Sequence, residues 1–104
     1  MQREVVQAQM KDGSELYAAM EAERQVKAQS EAAKQMLARR QQELQQLLSR
    51  CDRRFSSLTP VEEVMEAHVR AEALRWLITC IRREVDELQA EQLAYGSKVQ
   101  QMLS

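Results

Sequence analysis

Apolar residues in the second half of the chain recur at alternating steps of three and four: Val64, Ala67, Ala71, Leu74, Ile78, Ile81, Val85 and Leu88, then Gln92, Tyr95, Val99 and Met102. A 3.5-residue repeat kept up through nearly six heptads outruns the about three to four that mark a coiled coil rather than an ordinary surface helix. The a positions read Val, Ala, Ile, Val, Gln, Val and the d positions Ala, Leu, Ile, Leu, Tyr, Met. β-Branched residues at a with Leu or Ile at d suit a two-stranded parallel seam. The expected oligomerisation seam is therefore Val64, Ala71, Leu74, Ile78, Ile81, Val85, Leu88, Tyr95 and Val99. Gln92, the polar a residue, either fixes register or marks a seam that opens near the helix end.

The flanking charges leave the orientation of a dimer open. In a parallel pair Arg70 faces Arg75 of the second copy, and Leu77 occupies a g position where charge is usual. A second apolar stripe, Met65, Val69, Ala73, Trp76 and Cys80, rises on the face away from the seam. A helix apolar on two sides requires more than one neighbour, so residues 64–81 read as the core of a bundle.

The first half carries a weaker heptad through Val5, Leu16, Ala19, Val26, Ala33, Leu37, Leu44, Leu47, Cys51 and Leu58. Asp12, Glu23, Ser30, Arg40 and Arg54 interrupt it at core-type positions. Around Gly13, with Ser14 as a candidate cap, the helix either breaks or continues through a soft spot, since Gly costs roughly 1 kcal/mol in a helix interior.

Thr59-Pro60 is the clearest punctuation. Thr59 is positioned as an N-cap, Pro60 as the first helical residue and Glu62 as the third, which completes a capping box. The residue before a proline disfavours the α region, so the preceding helix should stop near Ser57. The expected organisation is a first helix over residues 1–57, a turn at 58–60 and a second helix over 61–103. A short connection makes its helices antiparallel neighbours; the alternative is a kinked continuous helix. Folding back brings Leu44, Leu47, Cys51 and Phe55 beside the segment containing Val69 and Trp76, and these six residues are the expected hairpin packing. The fold class that follows is all-α, a long antiparallel helical hairpin or coiled coil that dimerises into a four-helix assembly.

Composition supports rods. Two Gly and one Pro are too few for a multi-strand fold, and Gln, Glu, Arg, Ala and Leu dominate. Fifteen basic residues against sixteen acidic ones exclude a global polyanion-binding argument. Locally the balance shifts, because residues 39–83 hold nine Arg against six acids. Arg39, Arg50, Arg53, Arg54, Arg70, Arg82 and Arg83 are the candidate contacts for an acidic surface, with microtubules ahead of nucleic acid. The competing reading is a solvated face paired with Glu at helical spacing.

Catalysis has little material: one His, His68, at an e position on the solvent edge, three scattered Asp, and no Gly-rich phosphate loop or nucleophile elbow. One His and two isolated cysteines cannot close a tetrahedral metal site within a chain. No enzyme activity and no cofactor are expected. Cys51 and Cys80 read as core thiols about 20 Å apart along the hairpin, with cross-strand pairing in a dimer as the alternative. Trp76 reads either as an exposed anchor or as the plug between hairpins.

With no signal peptide and no stretch of bilayer length, the expectation is an intracellular protein of the cytoplasm, cytoskeleton or nucleus that engages no membrane. Helical pattern at both ends suggests a segment of a larger scaffold of cytoskeletal, centrosomal or kinetochore type. Its expected partners are a second copy or another coiled-coil protein. The alternative functions are a microtubule- or nucleic-acid-binding coiled coil, and a helical chaperone or stalk subunit of a secretion apparatus.

Overall fold

A computed structural model describes the backbone of residues 2–104 and the side chains of residues 13–104. The chain is an all-α helical hairpin. Helix α1 spans Gln2–Arg54 over 53 residues, helix α2 spans Val61–Leu103 over 43, and no strand occurs among the described residues. Helix α1 runs through Gly13 without a break or a positive φ, so the possible interruption there is not used. The side chains of Val5 and Asp12, assigned to core-type positions, lie outside the described residues.

The turn differs from the expected one in two respects. Helix α1 stops at Arg54, earlier than residue 57, although the Phe55 amide still donates to the Cys51 carbonyl at 2.9 Å. Beyond it the backbone is captured by local side chains. The Ser56 amide donates to the Thr59 hydroxyl at 2.8 Å, the Thr59 amide donates to the Ser56 carbonyl at 3.1 Å, and the Leu58 amide donates to the Ser56 hydroxyl at 3.2 Å. Ser and Thr compete with the helix in this way by offering the backbone an alternative partner.

The second difference follows from the first. With its hydroxyl turned back to Ser56, Thr59 does not cap α2. The Pro60 carbonyl accepts the first helical bonds, from the amides of Glu63 at 3.1 Å and Val64 at 3.3 Å, which puts Pro60 at the N-cap rather than at the first helical position. Charge complements both helix ends at the turn. Arg53 and Arg54 stand in the last turn of α1, and Glu62 and Glu63 in the first turn of α2, each opposite in sign to the helix dipole it meets.

Each helix contributes a segment to each of two compact units. Unit 2 (Ala32–Val85) contains the turn and is a helical hairpin. Its buried residues are Ala33 on α1 and Ala71, Leu74, Ile78, Ile81 and Val85 on α2. Leu37, Leu44, Leu47, Cys51 and Phe55 are half-buried around them. The seam of α2 is thus closed by α1 of the same chain. Val64, in the first turn of α2, drops out of it at 40% exposed.

Unit 1 comprises Met1–Glu31 and Asp86–Ser104. Ala19, Val26 and Ser30 are buried from α1 and Val99 from α2, with Leu88, Gln92 and Tyr95 half-buried. Small residues let the two backbones come close. Gly96 lies beneath the Glu23 side chain, where an added Cβ would meet the carboxylate Oε1 at 3.4 Å. Ser30 is wholly buried, and its hydroxyl has no hydrogen-bond partner among the described residues.

A buried hydroxyl left unsatisfied costs about 1–3 kcal/mol, and Ala is also the better helix former by up to about 0.7 kcal/mol. Ser30→Ala is therefore expected to raise the stability of the chain by about 1 kcal/mol, read by urea denaturation followed by circular dichroism. Ile78→Asp places a charge where the side chain is almost wholly covered, and it is expected to cost several kcal/mol in the same measurement. An unchanged midpoint for Ile78→Asp contradicts a hairpin closed through this seam.

Candidate functional site

The steps from Met65 to Val69, Ala73, Trp76 and Cys80 are four, four, three and four, so at about 100° per residue these side chains share one face of α2. Ala71, Leu74, Ile78 and Ile81, which α1 covers, lie on the opposite face. Nothing in unit 2 covers the outer stripe. Met65 is 61% exposed, Val69 64% and Trp76 70%, and Ala73 and Cys80 are exposed with them. Val69 and Trp76 are therefore not part of the hairpin packing to which their apolar character assigned them. A helix presents only one stripe to a single neighbour, and α1 occupies the other.

Continuing the same spacing one step outward at each end reaches Glu62 and Arg83. Neither side chain has an ion-pair partner among the described residues. The stripe is bordered by the ion pair of Arg75 with Glu72 at 2.6 Å, and by Thr79, whose hydroxyl donates to the Arg75 carbonyl at 3.0 Å. The result is a rigid apolar strip carrying one indole, with a carboxylate at one end and a guanidinium at the other. Contiguous apolar surface of this kind, rimmed by charge, marks protein-association sites.

The other candidate residues are placed as follows. The expected seam residues Ala71, Leu74, Ile78, Ile81, Val85 and Val99 are buried within the chain, and Leu88 and Tyr95 are half-buried. Within their units they face inward. Leu44, Leu47, Cys51 and Phe55 are half-buried on the α1 side of unit 2. Cys80 is an exposed free thiol rather than a core one, while Cys51 is free and half-buried. His68 is exposed.

Arg39, Arg50, Arg53, Arg54, Arg70, Arg82 and Arg83 are all exposed, and none has a carboxylate at ion-pair distance among the described residues. The pairing with Glu at helical spacing occurs instead at Arg24, Arg40 and Arg75. The helical periodicity of α1 puts Arg39, Arg50 and Arg53 on its outer face together with Gln42 and Gln46.

One feature escaped the sequence reading. Leu44 and Leu48 of α1 and Ile78 of α2 line a shallow groove that Arg75 and Arg82 flank. Leu48 is an e- or g-type neighbour of the α1 heptad, and its apolar character beside the seam was the available signal. Among the described residues no three His, Cys, Asp or Glu side chains come together to hold a metal, and no helix is long and apolar enough to cross a membrane.

Because Trp76 is 70% exposed on the face of α2 opposite the buried seam, Trp76→Ala is expected to change the stability of the dilute chain by less than about 0.5 kcal/mol. A loss of several kcal/mol in chemical denaturation at high dilution would show that the indole supports the fold instead. No protein-family model matches the chain, and neither a curated protein nor a solved structure matches it significantly.

Proposed function

We propose that the chain is a structural association module and not an enzyme: a helical hairpin that holds the outer face of α2 open for another protein. The observation that carries this reading is the exposed run of Met65, Val69, Ala73, Trp76 and Cys80 on a helix whose other apolar face is already covered. Trp is the residue most enriched among interface hot spots. Held on a helix braced from behind by α1, Trp76 loses little freedom on binding, which lowers the cost of association. A role within a larger cytoskeletal, centrosomal or kinetochore-type scaffold fits a module of this kind.

The test is a photo-crosslinking amino acid introduced at position 76 of the full chain in cells, with Gln46 on the outer face of α1 as the control position. Protein adducts at 76 and none at 46 are expected. Equal labelling at both positions, or none at 76, overturns the reading.

The unpaired arginines support a second reading, in which the outer face of α1 rests on an acidic surface such as a microtubule through Arg39, Arg50 and Arg53. Such binding weakens steeply with salt. Co-sedimentation at low salt that is lost in Arg50→Glu/Arg53→Glu is the expected outcome, and a wild-type chain that stays in the supernatant at low salt removes this reading.

A further inference from the structure

We propose that the occupant of the outer face of α2 is the same face of a second copy, packed antiparallel about a two-fold axis that passes between Glu72 and Ala73. This rests on the reading of that face as an association surface and names its partner.

The outer steps of the stripe are the same from both ends, and at the centre Ala73 lies level with Glu72 of the second copy. From Glu62 the steps to Met65 and Val69 are three and four, and from Arg83 the backward steps to Cys80 and Trp76 are three and four. Helix rise per residue is constant. Two such helices, antiparallel and centred between residues 72 and 73, therefore bring Glu62 level with Arg83 of the second copy, Met65 with Cys80 and Val69 with Trp76. By symmetry each pairing occurs twice, as an isologous interface requires.

The chemistry of each level agrees with that match. Both ends join a carboxylate to a guanidinium, and neither Glu62 nor Arg83 has a partner within its own chain among the described residues. The bulky indole of Trp76 lies across from the smaller Val69, and Ala73 at the axis lets the backbones approach. The parallel arrangement loses the charge match, since Glu62 meets Glu62 and Arg83 meets Arg83, and it stacks the two Trp76 side chains at one level. Charge pairs of this exposed kind decide orientation more than affinity.

One contact works against the pairing, because Glu72 of each copy comes near the axis. Each Glu72 already carries Arg75 at 2.6 Å, so two guanidiniums accompany the two carboxylates. Glu66 and Glu84 stand at the rim. Helix α1 does not obstruct the approach, since within unit 2 it covers the opposite face of α2.

The test is the molar mass of the full chain across a concentration series by sedimentation equilibrium, with circular dichroism confirming that each variant remains helical. A monomer–dimer equilibrium ending at twice the 12.1 kDa chain is expected. Glu62→Arg and Arg83→Glu are each expected to weaken dimerisation about tenfold, since each turns two attractive pairs into repulsive ones. The double variant Glu62→Arg/Arg83→Glu is expected to restore it to within about threefold, because the swapped charges pair again.

Orientation is read separately by disulfide trapping in a Cys51→Ser background. Adding Met65→Cys is expected to give a dimer linked through Cys80 of the second copy under air oxidation, while the background alone gives none. In the antiparallel pair the two Cys80 residues stand about 22 Å apart along the axis by the 1.5 Å rise, and a parallel pair puts them in contact.

A chain that keeps the 12.1 kDa mass at the highest concentration, a double variant as weak as the single ones, or a linkage between the two Cys80 thiols overturns the proposal. If the chain is monomeric and the photo-crosslinker at position 76 still captures a different protein, self-pairing fails and the association reading stands. Absence of all adducts at 76 removes both.

Discussion

A helix packed against a single neighbour can hide one apolar stripe, and α2 carries two between Val64 and Ile81. The closure of α1 over Ala71, Leu74, Ile78, Ile81 and Val85 is the contact on which the rest of the arrangement depends. It covers the regular heptad face and, by the geometry of the helix, leaves Met65, Val69, Trp76 and Cys80 pointing the other way. The exposed face is not a packing defect at a loose end. It belongs to the segment of α2 that carries most of that helix's buried apolar residues, and a stripe braced from behind gives up little entropy when it is covered.

The two partners in that closure are unequal. Helix α2 supplies most of the buried apolar side chains of unit 2, whereas α1 supplies Ala33 and a set of half-buried residues that includes Arg40. The Arg40 guanidinium binds Glu43 at 2.9 Å through one terminal nitrogen, while its Nε is buried without a partner. In unit 1 the hydroxyl of Ser30 is in the same position. Polar groups at core positions reduce the net gain of closure, since each unsatisfied buried group costs about 1–3 kcal/mol. Their presence agrees with the weaker heptad of the first half. A hairpin whose second strand is so compromised depends heavily on the few large residues of the first-rate strand, Leu74, Ile78 and Ile81 above all.

What was legible in the sequence divides along a physical line. Periodicity reports which face of a helix avoids water, so the burial of Ala71, Leu74, Ile78, Ile81, Val85 and Val99 could be read from spacing alone. Periodicity does not report what does the covering, and the same seam suits a second copy or the chain's own first helix. The break at residues 59 and 60 was legible because proline leaves the backbone few alternatives, yet its details were not. A Thr hydroxyl at that place can serve the helix ahead of it or the turn behind it, and here the Ser56 amide takes it at 2.8 Å. Val69 and Trp76 were misplaced for a related reason. Apolar character says that a side chain gains from burial, while the assignment to a particular neighbour needs the third dimension.

Competition for the seam can be settled by magnitude. A second copy offering a seam would have to displace α1, which a six-residue connection (55–60) holds beside α2 at all times. Short connections give effective concentrations in the millimolar range, so a strand from another molecule at micromolar concentration starts at a disadvantage of about 10³, or roughly 4 kcal/mol. To win, it would also have to bury the seam better than α1 does and compensate for the α1 contacts it breaks. The outer stripe faces no such competitor, since no part of unit 2 reaches it. Under the proposed association, the tether that closes the hairpin leaves Met65, Val69, Trp76 and Cys80 as the apolar surface open to another molecule. The polar residues in α1 do not reverse this order, because a loss of a few kcal/mol in closure is shared by every arrangement in which α1 must find another place for its own apolar face.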